Sequence, residues 1–355
     1  MLRNLTAAAL LPLALLAGCA SAPGWMAQPG AGQAPVTEFG ALVGLTPVVL
    51  TAGERKSALS GADVWASGGR SWLIAAAPQR NALHVYEARS GGLLKVIAPE
   101  GEQAFDQPHR VHVMDDLLLV AERDSGRIHL LQLPDFTPLL HFGTGDDQPL
   151  RKPHAMWGVR MADWGYHLYV TDNYATEGSS QAQTDLRHRV KQFALSKGAL
   201  GWTARAIRSF GAARGDGQLY AVDPIVGDAA DRLLAIADTD PRDARRVRVY
   251  GVDGRYAGRS FGGGVFRSNV SGLALMTCGD DGRDGLWLAT DGGPNGHYLH
   301  SFDRETLDYR ASFAMPPLAA QGSLGIAGNR LYAVLENGQV AGFDLAPLRA
   351  LRPGC

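Results

Sequence analysis

The sequence predicts an all-β fold: a six-bladed β-propeller closed by its own N-terminal strand. A strand–turn–strand unit recurs six times, and the copies are spaced at the length of a propeller blade. The composition also suits many short strands joined by tight turns, with 44 glycines, 19 prolines and 46% hydrophobic residues in a chain of 355. No amphipathic run carries helix start and stop signals.

In chain order, residues 1–18 read as an export signal. Arg3 gives a basic start, and the apolar run of residues 5–16 is too short to span a bilayer as a helix. It ends in Leu16-Ala17-Gly18-Cys19, which resembles the lipobox of bacterial lipoproteins. The resemblance implies cleavage before Cys19, a lipid on its thiol and attachment to a membrane through it. Ala20 follows where an aspartate would imply retention at the inner membrane, so the implied address is the periplasmic leaflet of the outer membrane. Residues 19–35, rich in Ala, Gly, Pro and Gln, are expected to form a flexible tether, which leaves residues 36–355 for the propeller.

The first repeat reads Trp72-Leu73-Ile74-Ala75-Ala76, a polar turn, then Leu83-His84-Val85-Tyr86. Equivalent second strands follow at Leu118, Leu168, Leu233, Leu286 and Leu331, at spacings of 45, 50, 65, 53 and 45 residues. Four strands with their turns occupy about 40–50 residues. The excess in the third unit falls in a polar insert, residues 174–188, which is expected to be a loop. Apolar segments flank the hairpins, such as Val111-His112-Val113 before and Leu93-Leu94-Lys95-Val96-Ile97 after. A recurring Phe-Gly at 142–143, 210–211 and 261–262 closes three blades; the aromatic is expected to plug the gap to the next blade while glycine lets the chain turn. The sixth unit runs out soon after Phe343, and β-prone residues 36–50 are expected to supply its missing outer strand.

The formal net charge is −1, so there is no global field for nucleic acid, and no second apolar stretch is long enough for a membrane helix. Besides Cys19 the cysteines are Cys278 and Cys355. An oxidising compartment would permit a bond, but nothing in the sequence brings the two together, and free thiols are expected.

In a propeller blade, the loop between strands two and three opens on the same face as the connection into the innermost strand. Every repeat but the first has a carboxylate at the end of its second strand: Glu122, Asp172, Asp238, Asp291 and Glu336. The incoming connections add Asp106, His109, Arg110, Lys152, His154, Asp223 and Arg267. Carboxylates among Arg, Lys and His suit a hard cation and a phosphorylated ligand, with oxygens for calcium and guanidinium forks for phosphate. Carboxylates at strand ends also accept hydrogen bonds from turn amides, a purely structural use. The steps Gln107-Pro108-His109 and Lys152-Pro153-His154 occupy equivalent positions; they serve either as turn chemistry or to place two imidazoles at the channel mouth. Signatures of serine hydrolases, P-loops and zinc proteases are absent from the sequence.

From residue 219 to 313 the chain resembles the β-propeller phytases and phytase-like propellers. Carrying segments include Leu233-Leu234-Ala235-Ile236-Ala237-Asp238, Ser271-Gly272-Leu273-Ala274-Leu275 and Leu288-Ala289-Thr290-Asp291-Gly292. The resemblance implies a face that binds several calcium ions and hydrolyses a phosphomonoester such as phytate. The metal ligands would be Glu122, Asp172, Asp223, Asp238 and Asp291, with Asp223 and Asp238 also catalytic, and His109, Arg110, Arg123, Lys152 and His154 would hold substrate. Ser271 stands where relatives tend to carry glutamate, and Gly292 replaces one polar residue. Three functions therefore stay open: a calcium-dependent phosphomonoesterase, a non-catalytic binding or assembly platform of the cell envelope with a degenerate metal site, and a lactonase-like enzyme holding one axial calcium; the expected partner besides the membrane is a phosphorylated small molecule or an envelope protein. On the enzymatic reading, Asp238→Ala is expected to abolish activity and spare the fold.

Overall fold

The computed structural model describes residues 42–52, 58–145, 149–162, 165–174, 185–212, 215–238, 245–279, 282–294, 296–320, 322–352 and 355. One compact unit runs from Ala34 to Cys355 and Met1–Gln33 is the other. The expected export signal, Cys19 and the whole expected tether, residues 19–35, lie outside the described residues.

The described residues form six sheets, each one blade, whose strands pair antiparallel and follow chain order from the axis outward, apart from two short N-terminal strands added at the outer edges of blades 5 and 6. The innermost strands are Gly61–Ser67, Pro108–Met114, Pro153–Arg160, Val222–Asp228, Val270–Cys278 and Leu324–Ala327. Both faces of every middle strand are covered by neighbouring blades, and so these strands read as continuous apolar runs: Leu117–Glu122 is buried throughout. The Phe-Gly steps behave as expected. Phe210 meets Tyr250 of the next blade at 5.6 Å, and Phe261 meets Trp287 at 6.2 Å, between ring centres. Gly262 follows at φ 80°, where a Cβ would also strike the ring of Phe266.

The N-terminal segment closes the ring. Strand β1 (Val43–Gly44) runs parallel to the outer strand of blade 5, and β2 (Val49–Leu50) pairs antiparallel with Val340–Asp344 as the fourth strand of blade 6. Thr51 secures the seam: its amide donates to Val340 O at 3.0 Å and its hydroxyl accepts from Val340 N at 2.9 Å.

Two expectations are corrected. The equivalent of Leu118 is Leu234 in blade 4 and Trp287 in blade 5, one residue beyond the leucines chosen by spacing, because Pro108 pairs with Glu122 as Val222 does with Asp238 and Val270 with Asp291. Burial on both faces removes the alternation that would reveal such a slip. The second concerns Cys278 and Cys355, which form a disulfide with Cα atoms 4.9 Å apart. A short helix, Ala346–Arg349, turns the tail back onto blade 5. There Arg352 pairs with Asp284 at 2.5 Å and Asp303 at 2.7 Å, which delivers Cys355 to the end of the innermost strand.

Candidate functional site

Innermost strands of blades 2 to 5 share a departure from regular pairing: each carries one residue more than its partner at the upper end, where the incoming connection arrives. Such a β-bulge re-aims a side chain. The residues at these bulges are His109, His154, Asp223 and Ser271, in matching positions of four consecutive blades. The Pro-His steps seen in the sequence are the first two members of this set. A Cβ on Gly61, the blade 1 neighbour, would stand 2.9 Å from Arg110 Cδ, so the glycine makes room for that arginine.

Arg110 then crosses the axis. Its Nη2 donates to both oxygens of Asp223 in blade 4 at 3.0 Å, and its Nη1 donates to the carbonyl of Gly322, which leads into blade 6. His154 Nδ1 stands 2.9 Å from Asp223 Oδ2, and the rings of His109 and His154 meet edge to face at 5.1 Å. Burial raises the Asp223 carboxyl, but Arg110 and His154 outweigh it and hold it below its usual range. Burial, followed by repulsion from Arg110 and His154, pushes the His109 imidazole down to about 2, leaving it neutral with an unpartnered Nε2. The group works as a polar stopper in the upper mouth.

Below the stopper lies the axial channel, about 810 Å³ in volume. Its lining runs from Arg110 and Ser323 to Asp228, Gly282 and Arg304 at the lower face, where the first–second hairpins lie and Ala229, Ala230 and Thr277 of the lining are exposed. The wall mixes apolar side chains (Val64, Ile225, Leu275, Ile326) with the free backbone edges of the innermost strands. Polar side chains stitch those edges across the blade junctions. Asp63 Oδ2 accepts from Val113 N at 2.9 Å and lies 3.1 Å from His112 Nδ1; His112 Nε2 accepts from Gly158 N at 3.0 Å. With Nε2 accepting, Nδ1 is the ring nitrogen left to donate to Asp63. Gly158 can come this close because a Cβ there would collide with Met114 Sδ. Arg304 grips Asp228 through two bonds of 2.6 and 2.7 Å, joining blade 5 to blade 4. Sequence reading missed Asp63, His112, Asp228 and Arg304; for the first three the signal was a charged or ring-polar residue in an otherwise apolar innermost strand, whereas Arg304 follows the third strand of blade 5 and carried no such mark.

The strand-end carboxylates sit elsewhere. Glu122, Asp172, Asp238 and Asp291 are at most 2% exposed and lie inside their own blades, away from the mouth. Each accepts backbone amides from the incoming connection and pairs with a base on the third strand. Glu122 accepts from Asp106 N at 2.7 Å, Ser125 Oγ at 2.7 Å and Arg127 Nε at 2.8 Å, and meets His129 Nε2 at 2.7 Å. Asp172 accepts from Lys152 N and Lys191 Nζ, both at 2.6 Å. Asp238 accepts from Tyr220 N at 2.7 Å, Ala221 N at 3.0 Å and the Arg248 guanidinium. Asp291 takes Arg267 N at 2.5 Å and Ser268 N at 2.9 Å, and meets His300 Nε2 at 2.9 Å. This is the structural use weighed above, repeated in four blades. Glu336 is exposed and one residue beyond the matching position, which Leu335 holds.

Of the residues expected to meet ligand, His109, Arg110, His154 and Asp223 converge. Arg123 shares a small hollow of about 210 Å³ with His109, beside Asp124, and the Lys152 side chain points to solvent. A calcium ion needs about six to eight oxygens, and the oxygens of the four buried carboxylates already take donors, so these residues do not fit the ion as they stand. Among the described residues, no cluster of three or more His, Cys, Asp or Glu is arranged to hold a metal ion.

Comparison with solved structures finds a member of the DUF4221 family from Bacteroides vulgatus at a TM-score of 0.54 and 9% identity, covering 85% of this chain and 98% of that one. The calcium-binding protein regucalcin from Agrobacterium tumefaciens gives a TM-score of 0.47 at 13% identity, covering 87% and 95%. The first likeness shows a shared fold. No family model and no curated protein matches the chain.

Proposed function

We propose that this chain is a non-catalytic binding propeller of the cell envelope, attached to a membrane through lipid on Cys19, which takes a ligand into its axial channel from the lower face. One observation carries the reading: the carboxylates that calcium chemistry would require are spent on holding the blades, while the large open volume lies on the axis behind the Arg110–Asp223 stopper. The channel suits a small ligand of mixed character, with apolar wall side chains for its body and strand-edge amides and carbonyls for its polar groups.

The phosphomonoesterase implied by the family resemblance is the second reading, and what favours it is the convergence of His109, His154, Arg110 and Asp223. One experiment separates the two. Mature protein is titrated with calcium while its melting temperature and phosphate release from phytate are followed. The binding reading expects neither to change. A rise of several degrees with calcium-dependent phosphate release would replace it with the enzymatic one. For the channel, a polarity-sensitive dye such as anilinonaphthalene sulfonate should bind saturably, and Leu275→Trp, which fills the wall, should weaken it about tenfold. Unchanged dye binding would place the ligand elsewhere.

A further inference from the structure

Among the described residues, seven large apolar side chains are strongly exposed, and six of them lie on three neighbouring outer strands. Val43, Val48 and Leu50 come from β1, β2 and the turn between them, and Leu93, Leu94 and Val96 from the outer strand of blade 1, at 45% to 64% exposure. The two groups adjoin: a Cβ on Gly91, two residues before Leu93, would lie 2.4 Å from Leu50 O. Within these three strands the one charge is Lys95, and it is folded away, its ammonium 4.7 Å above the Trp72 ring and 4.4 Å above Phe136. The seventh residue, Leu200, caps a hairpin of blade 3, well away around the ring.

A soluble protein rarely leaves so continuous an apolar rim on free-edged outer strands. The chain itself says what lies next to it. The described backbone begins at Leu42, directly before Val43, and Cys19 stands about two dozen residues upstream. Two dozen residues of random-coil chain span roughly 30 Å on average. A lipid on Cys19 would therefore keep this rim, rather than either face of the propeller, closest to the bilayer.

We infer that the outer rim of blades 5, 6 and 1 is a membrane-docking edge, with Val48, Leu50, Leu93, Leu94 and Val96 seated in the interfacial layer of a phospholipid bilayer. The inference rests on the lipoprotein reading for its partner and leaves both ends of the axial channel clear of the surface.

The test uses full-length protein with a single added thiol, Leu94→Cys or Leu200→Cys, carrying a fluorescent label; Cys278 and Cys355 stay bonded. Each is bound to vesicles of phosphatidylethanolamine with a minority of phosphatidylglycerol and challenged with aqueous iodide. Shielding of the residue 94 label by about threefold or more, with the residue 200 label unchanged, is the expected result. Equal quenching of both on vesicle-bound protein overturns the docking edge. Mass analysis of the N-terminal peptide reports separately on the lipid at Cys19, so an acylated protein with an unshielded strip refutes the edge and leaves the anchor standing. As a second arm, Cys19→Ser protein should bind vesicles weakly, and Leu93→Ser with Leu94→Ser and Val96→Ser should weaken that binding about tenfold. No loss in the triple variant also overturns the proposal.

Discussion

Asp172 and Lys191 are both almost fully enclosed, and removing one charge strands the other. Breaking such a pair costs about 3–5 kcal/mol. Asp172→Asn and Asp238→Ala are each expected to lower unfolding stability by that order in urea titrations, reversing the expectation that Asp238→Ala spares the fold. Acid should act through the same groups. Burial opposes ionisation of Glu122, but His129, the Asp106 amide, Ser125 and Arg127 outweigh it and bring its pKa from 4.5 down to about 2. The unfolded chain then takes up the proton first, so the stabilisation is complete above about 4.5 and drains away as pH falls toward 2. Urea midpoints measured across that window should slope downward, and Glu122→Gln should flatten the slope while lowering the plateau. His109 adds a second window. Its folded value of about 2 against an ordinary 6.5 makes stability decline as pH drops below 6.5, and His109→Phe should remove that decline. The sequence made these residues visible as a repeating acid at a strand end. It did not show which way they face, since the partners that absorb them, Lys191, Arg248 and His300, are on the next strand and look like ordinary polar residues.

At the scale of the element, the blades were legible because turn chemistry and strand length repeat, whereas pairing register was not. Leu233 and Leu234 are equally good apolar residues, and only the pairing of Val222 with Asp238 shows that the second is equivalent to Leu118. The bulges were hidden for the same reason: an extra residue in Pro153–Arg160 is visible only against its partner strand. His109 and His154 stood out because proline marks their turns, while Asp223 was one acid among several in the incoming connections until the family resemblance singled it out. The closing strand was foreseen from the missing fourth strand of blade 6, and its seam can be tested. Thr51→Val removes the hydroxyl that Val340 N donates to and leaves a buried amide unpaired, which costs about 1–3 kcal/mol. Hydrogen exchange at Val340 should speed up more than at innermost-strand amides of the same protein.

For the molecule as a whole, composition and charge indicated a ring of sheets with no bias toward nucleic acid, but not which end of the axis is open. That depends on one long side chain, Arg110, reaching from blade 2 to blades 4 and 6, and nothing local to Arg110 in the sequence signals the reach. The disulfide was likewise out of view, because two cysteines separated by 77 residues meet only after the tail is turned back by Arg352. Closing a loop of that length limits the unfolded chain, and Cys355→Ser should lower stability by up to about 4.5 kcal/mol on the loop-entropy account. The loss should appear in non-reducing buffer and vanish when wild type and variant are compared under strong reductant.

Since β2 completes blade 6, a stretch of chain that leaves the ribosome early is the one that settles last. Val49 and Leu50 must wait, unpaired, until Val340–Asp344 has been made. A half-made propeller is consequently an open arc with two bare margins, and the finished circle exists only once the last strand is in place.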